Sequence, residues 1–191
     1  FGSDADKAVA EVLGFARRRL TGEYGVDTFG LDTDLTETLI LPLLRPLYEK
    51  WFRIEVKGAA NIPAEGGALI VANHSGQLPL DAVMIGSAMM LDADPPRFPR
   101  SMVETWTAEL PIISTLYPRL GQVVGSPENA RRLLQQEESL IVFPEGARGI
   151  SKTFDQRYQL TDFGLGFVRL AIETGTPIVP VAVIGGEEQY P

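Results

Sequence analysis

The chain has 191 residues, 45% of them apolar, and its 17 basic against 25 acidic side chains give a formal charge of −8. Cysteine is absent and His74 is the single histidine, which excludes a disulfide framework, a thiol nucleophile, a cysteine-based zinc site and a two-histidine metal site. The acidic balance argues against a nucleic-acid binder, whose footprint is a basic face, and the length suits one domain of roughly 150 residues with a small appendage.

Residues 4–20 carry Val9, Val12, Leu13, Ala16 and Leu20 at helical spacing, and the cluster Arg17, Arg18 and Arg19 near the end of that segment complements a helix dipole. Residues 21–34, rich in Gly, Asp and Thr, read as a loop. A second helical segment over 35–52 is interrupted by Pro42 and Pro46 and is unusually apolar. Two readings of it stand side by side. It covers one face of the core, or it lies in a membrane interface, where Arg45, Tyr48, Lys50, Trp51 and Arg53 are the residue types found at headgroup level. No apolar run approaches the roughly 20 residues that span a bilayer, and no signal-peptide pattern is present. The chain begins without methionine and stops on Tyr190-Pro191 after an apolar run, which reads as part of something longer. Residues 1–53 are expected to form the helical, membrane-interfacial appendage.

From residue 54 onward short strands alternate with helices. Strands are predicted at 54–57, 68–72, 100–102, 139–143 and 178–184, and helices at 79–90, 126–138 and 165–174. Ser126 is a good N-cap with Pro127 at the first helical position. Such alternation implies βαβ units, hence an α/β domain over 54–191 with a mostly parallel central sheet flanked by helices. Parallel sheets carry their sites at the C-terminal strand ends. Two strand ends here bear chemistry: Ala72-Asn73-His74 and Phe143-Pro144-Glu145-Gly146.

His74 leaves its strand through a turn containing Gly76, and Asp81 follows in the first turn of the next helix. Such a pair can form a dyad in which the carboxylate keeps one ring nitrogen protonated and the other takes a proton from a hydroxyl. The bland alternative is a histidine that bonds its own strand end, and an aspartate stabilised by the helix dipole. At the second strand end, Gly146 and Gly149 flank Arg148, so the backbone can approach a ligand and the guanidinium suits a phosphate or carboxylate. Glu145 either orients that arginine or binds a substrate hydroxyl. Lys152, Arg157 and Arg169 add positive charge beyond it, although a solvated surface is the commoner fate of such residues.

Other signatures are missing. There is no G-x-S-x-G elbow, no G-x-x-x-x-G-K-[ST] phosphate loop and no H-E-x-x-H. Gly164-Leu165-Gly166 lacks a third glycine and a preceding strand, which discounts a dinucleotide site, and Asn73-His74-Ser75 matches a glycosylation sequon only formally.

Taken together, three blocks resemble the glycerophospholipid acyltransferase superfamily over residues 54–186. Asn73-His74 with Asp81 is similar to its first block, Phe143-Pro144-Glu145-Gly146-Ala147-Arg148 to its third, and Ile178-Val179-Pro180-Val181-Ala182-Val183 to its fourth. The resemblance implies that His74 deprotonates an acceptor hydroxyl, that Asp81 orients it, and that Asn73, Glu145, Gly146 and Arg148 help hold substrate. It implies acyl-CoA or acyl carrier protein as donor, with no metal, no cofactor and no covalent acyl-enzyme. The acceptor implied first is a glycerolipid hydroxyl, 1-acylglycerol-3-phosphate. Membrane association is implied too, with the protein peripheral on the cytoplasmic membrane face. Two departures bear on the acceptor. Six residues separate His74 from Asp81 where the family has four, which looks more like its neutral-acceptor branch, with acceptors such as diacylglycerol. The second block, Gly121-Gln122-Val123-Val124-Gly125-Ser126, also lacks its arginine, for which Arg119 and Arg131 are the nearest substitutes. A lipid esterase or thioesterase using the same dyad, and a non-catalytic lipid-binding module, are the alternatives from other classes.

Overall fold

A computed structural model describes residues 2–75 and 78–188. Five parallel strands form one sheet in the order β3-β2-β4-β1-β5: β1 (Ala68–Ala72), β2 (Pro99–Val103), β3 (Gln122–Val124), β4 (Ser139–Val142) and β5 (Ile178–Val181). Two of the three interior strands, β1 (Ala-Leu-Ile-Val-Ala) and β4 (Ser-Leu-Ile-Val), are apolar almost throughout, as suits strands covered on both faces. Side-chain alternation then divides the core in two. Leu69, Val71 and Leu140 point toward Leu133, Leu134 and Ala171, whereas Ala68, Ile70, Ala72 and Ile141 point toward Ile85 and Met89. β5 pairs on one side only, which is the position that tolerates Pro180.

The crossovers supply the covering helices. α4 (Leu80–Leu91) joins β1 to β2, α5 (Ile113–Arg119) joins β2 to β3, and α6 (Pro127–Gln135) joins β3 to β4. The short α7 (Ala147–Ile150) and α8 (Gly166–Thr174) lie between β4 and β5. Ser126 caps α6 by accepting the Asn129 N–H at 3.1 Å, with Pro127 at the first position, as its sequence indicates.

Several elements differ from expectation. Residues 54–57 are not a strand: β1 already has β4 and β5 on its two sides, and this segment runs unpaired out of the preceding helix. β3 and α5 carry too little pattern to be foreseen, one being three residues long and the other containing Pro118. The fifth strand ends at Val181 because Val183 bonds to the Asn73 side chain, outside the ladder.

Before the sheet, α1 (Gly2–Thr21) leads through a loop to a helical run over 33–51. In that run α2 (Thr33–Leu35) and α3 (Leu41–Pro46) alternate with the wider π-turns Thr36–Ile40 and Leu47–Trp51. In a regular α-helix a four-residue row drifts by about 40° per step, and π-turns undo that drift. Two straight rows result. Thr36, Ile40, Leu44, Tyr48 and Phe52 face inward, whereas Leu39, Leu43, Leu47 and Trp51 are exposed. The inner row packs, as the core-covering reading requires, and the outer row is bare. Tyr48 fastens the inner row by donating its hydroxyl to Asp92 at 2.5 Å, at the end of α4.

Arg18 pairs with Asp34, and Arg19 with Asp32 and Asp34, so two members of the arginine cluster tie α1 to the run behind it. The connecting loop is keyed to the sheet by Arg100, 1% exposed, which holds both Asp27 and Glu138. No helix among the described residues is long and apolar enough to cross a membrane.

Candidate active site

In the β1–β4 ladder Val71 stands beside Val142, so three residues further along each chain the register brings His74 beside Glu145. That adjacency, at the C-terminal edge of β1 and β4, is the origin of the site. Asp81 comes from the first turn of α4 and returns to it. Its Oδ2 lies 2.5 Å from His74 Nδ1 and accepts the Ser75 N–H at 2.9 Å, while Oδ1 accepts the Ala82 N–H at 2.8 Å. The longer spacing between His74 and Asp81 therefore still leaves them in contact. The Gly76-Gln77 part of the turn lies outside the described residues. With Nδ1 on the carboxylate, Nε2 is the ring nitrogen left to accept a proton, and it has no partner among the described residues.

Three further groups fix His74, one at its ring and two at its backbone and Cβ. The Phe143 ring stacks on it with centroids 4.0 Å apart and planes 17° from parallel. Glu145 Oε1 accepts the His74 backbone N–H at 3.0 Å. Gly149 of α7 passes beneath: a Cβ there would meet His74 Cβ at 2.6 Å and the His74 carbonyl oxygen at 3.1 Å.

Glu145 turns inward, its side chain fully enclosed. Its Oε2 accepts the Thr161 N–H and hydroxyl, both at 2.9 Å, and the Lys152 ammonium at 3.3 Å. Burial raises its pKa, but the hydrogen bonds from Thr161 and His74 and the Lys152 charge outweigh burial and hold the carboxyl below the usual carboxylate range. The expectation that it grips a substrate hydroxyl thus meets a carboxylate whose partners are all protein groups. Lys152, expected on a solvated surface, is enclosed as well, with its side chain 4% exposed.

Asn73 also faces the protein. Its Nδ2 donates to the Val183 carbonyl at 2.9 Å and its Oδ1 accepts the Val183 N–H at 2.7 Å, so one amide imitates a strand pairing and ties the chain after β5 to the strand end that carries His74. Gly146 adopts φ 57° and ψ −145°, a conformation open essentially to glycine, and its N–H is taken by the Phe143 carbonyl. That turn starts α7 and leaves Arg148 exposed, with no carboxylate partner among the described residues. Arg119 and Arg131 are committed elsewhere, to Asp32 and to Glu128 and Glu173. Among the described residues no cluster of histidine and carboxylate side chains is arranged to hold a metal ion.

An acyltransferase family model matches residues 53–184. The chain belongs to the acyltransferase family. An uncharacterized protein of Mycobacterium tuberculosis is 43% identical over 190 residues, 99% of this chain and 53% of its own length. A probable 1-acyl-sn-glycerol-3-phosphate acyltransferase of Mycoplasma pneumoniae is 29% identical over 147 residues, 73% of this chain and 52% of its own. The chain thus spans about half the length of the curated relatives it matches. The crystal structure of the 1-acyl-sn-glycerophosphate acyltransferase of Thermotoga maritima superposes with a TM-score of 0.51 at 18% identity, covering 91% of this chain and 73% of that one. The α/β fold is shared with that enzyme.

Proposed function

We propose that this acyltransferase-family chain moves a fatty acyl group from a thioester, acyl-CoA or acyl carrier protein, to the free hydroxyl of 1-acylglycerol-3-phosphate. One observation carries the reading: an imidazole stacked on Phe143, on a backbone held by Glu145 and packed against Gly149, with Nδ1 on a buried carboxylate and Nε2 without a partner among the described residues. His74 Nε2 takes the acceptor's hydroxyl proton as the oxygen bonds to the thioester carbonyl carbon. The tetrahedral adduct then expels the thiolate, the C–S bond breaks, and the imidazolium returns its proton to sulfur. General-base help of this kind supplies about 10²–10⁴-fold, and positioning of the two substrates supplies the rest. Arg148 is the exposed cation suited to the acceptor's phosphate. The outer row Leu39, Leu43, Leu47 and Trp51 suits peripheral attachment to the lipid surface that presents such an acceptor.

A neutral acceptor such as diacylglycerol is the second reading. It is favoured by the missing second-block arginine and by the commitment of Arg119 and Arg131 to carboxylates. The test is acyl transfer from a long-chain acyl-CoA to lysophosphatidate, glycerol 3-phosphate, lysophospholipids, monoacylglycerol and diacylglycerol, resolved by mass spectrometry. A product that disappears in His74→Ala supports the transferase and names its acceptor. Free fatty acid formed regardless of acceptor replaces it with a hydrolase.

A further inference from the structure

Lys152 stands between two carboxylates as enclosed as itself. Its Nζ lies 3.3 Å from Glu145 Oε2 and 3.6 Å from Glu187 Oε1, with those side chains 0% and 7% exposed, and it donates to the Gln159 carbonyl at 3.1 Å. An ammonium in such a place has given up most of its hydration and is held by its partners. Those partners belong to three segments that reach His74 by separate routes. Glu145, from the turn after β4, accepts the His74 N–H. Thr161, just past Gln159, closes on Glu145. Gly186, beside Glu187, presses on Ser75 so closely that a Cβ there would overlap Ser75 Oγ.

We propose that Lys152 is a positioning residue for the base: by bridging Glu145 and Glu187 it keeps Glu145 on the His74 amide, and the turn after β5 against Ser75. The proposal rests on the acyl-transfer reading for its kinetic part. Without the ammonium, the two enclosed carboxylates lose the cation they share, and Glu187 Oε2 is already buried without a hydrogen-bond partner among the described residues. Glu145 Oε2 then keeps only its two Thr161 donors, the turn carrying Glu187 loses its ion pair, and Glu145 loosens its hold on the His74 amide.

Because His74 is the single histidine, isotope-labelled histidine reports one backbone amide, the one bonded to Glu145. Lys152→Met removes the charge and the donor, while Lys152→Gln removes the charge and keeps a donor for Gln159. In both, hydrogen exchange at the His74 amide is expected to rise by about tenfold or more while the β1 amides keep their protection. In both, kcat is expected to fall by about tenfold or more with KM for donor and acceptor within about twofold. Unchanged exchange in both variants, a loss confined to KM, or equal loss of protection throughout β1 overturns the proposal. Failure of both variants to fold also counts against it, since the lysine would then hold the fold and not the base. A wild-type chain that transfers acyl groups to no acceptor overturns the function alone, because the amide measurement requires no turnover.

Discussion

Gly149 and His74 are packed so tightly that one methyl group on Gly149 would sit 2.6 Å from His74 Cβ and 3.0 Å from Glu145 Cβ. Gly149→Ala must therefore push α7 and the β1 end apart. Overpacking of this kind costs about 1–3 kcal/mol of stability, and displacement of a base by about an ångström costs about 10² in rate. The expected outcome is a folded protein with a modestly lowered Tm and a severe loss of kcat. Gly25→Ala, at a position with nothing within 4 Å, should change Tm and kcat little. Equal kcat in the two variants contradicts the packing argument.

Asp81 makes a different demand, because its carboxylate accepts from one side chain and two backbone N–H groups at once. In Asp81→Asn the amide cannot accept on both of its polar atoms, so the Nδ1–H tautomer of His74 loses its selection. We expect kcat to fall by about 10²–10⁴ with KM little changed. Steady-state kinetics over both substrates check this. A rise confined to KM would assign Asp81 to substrate binding.

Why His74 and Asp81 were legible in the sequence while Lys152 was not is a matter of what local pattern encodes. A buried strand, a turn and a helix start can be read from the chain, and together they bring residues 74 and 81 onto one strand end. The parallel sheet was legible for the same reason, through alternating apolar runs and capped helices such as the one begun by Ser126. Lys152, Glu187 and Thr161 meet only through tertiary packing, and each alone has the composition of a solvated surface. The two strand ends place Asn73 and Glu145 beside His74, but the inward direction of their side chains is not legible locally. That follows from the register between β1 and β4 and from the path after β5, neither of which is local. Gly149 beside Arg148 suggests room for a ligand, and the structure fills that room with His74 and Glu145. The 54–57 segment failed as a strand because a short apolar run does not say whether a sheet edge is free to receive it.

The acid limb of stability follows from Glu145. Its carboxyl is held below its ordinary value of 4.5 in the folded protein, so the folded state favours the ionised form. The resulting stabilisation is fully present above pH 4.5 and is lost as pH falls below it, through the depressed folded value. Asp27, Asp32 and Asp34 are depressed as well and contribute to the same limb. Glu145→Gln should be less stable than wild type at neutral pH, and the gap should narrow as pH is lowered. Denaturant titrations across that range measure it, and a gap independent of pH would show that the Glu145 charge adds nothing.

The two rows of the 33–51 run let the proposed attachment be tested apart from folding. Leu47 and Trp51 lie on the outer row, Trp51 at 73% exposed, so replacing both with polar residues removes little packing. Tyr48 lies on the inner row at 4% exposed, and its hydroxyl bonds to Asp92. Tyr48→Phe deletes a hydrogen bond to a carboxylate, worth about 1.5–3 kcal/mol, and leaves the outer row unchanged. Vesicle sedimentation should therefore drop sharply in Leu47→Gln/Trp51→Gln with Tm nearly constant. Tyr48→Phe should lower Tm and sediment like wild type. If the double variant instead loses Tm and keeps its vesicle binding, the outer row serves packing, and the lipid surface must be met by another part of the molecule.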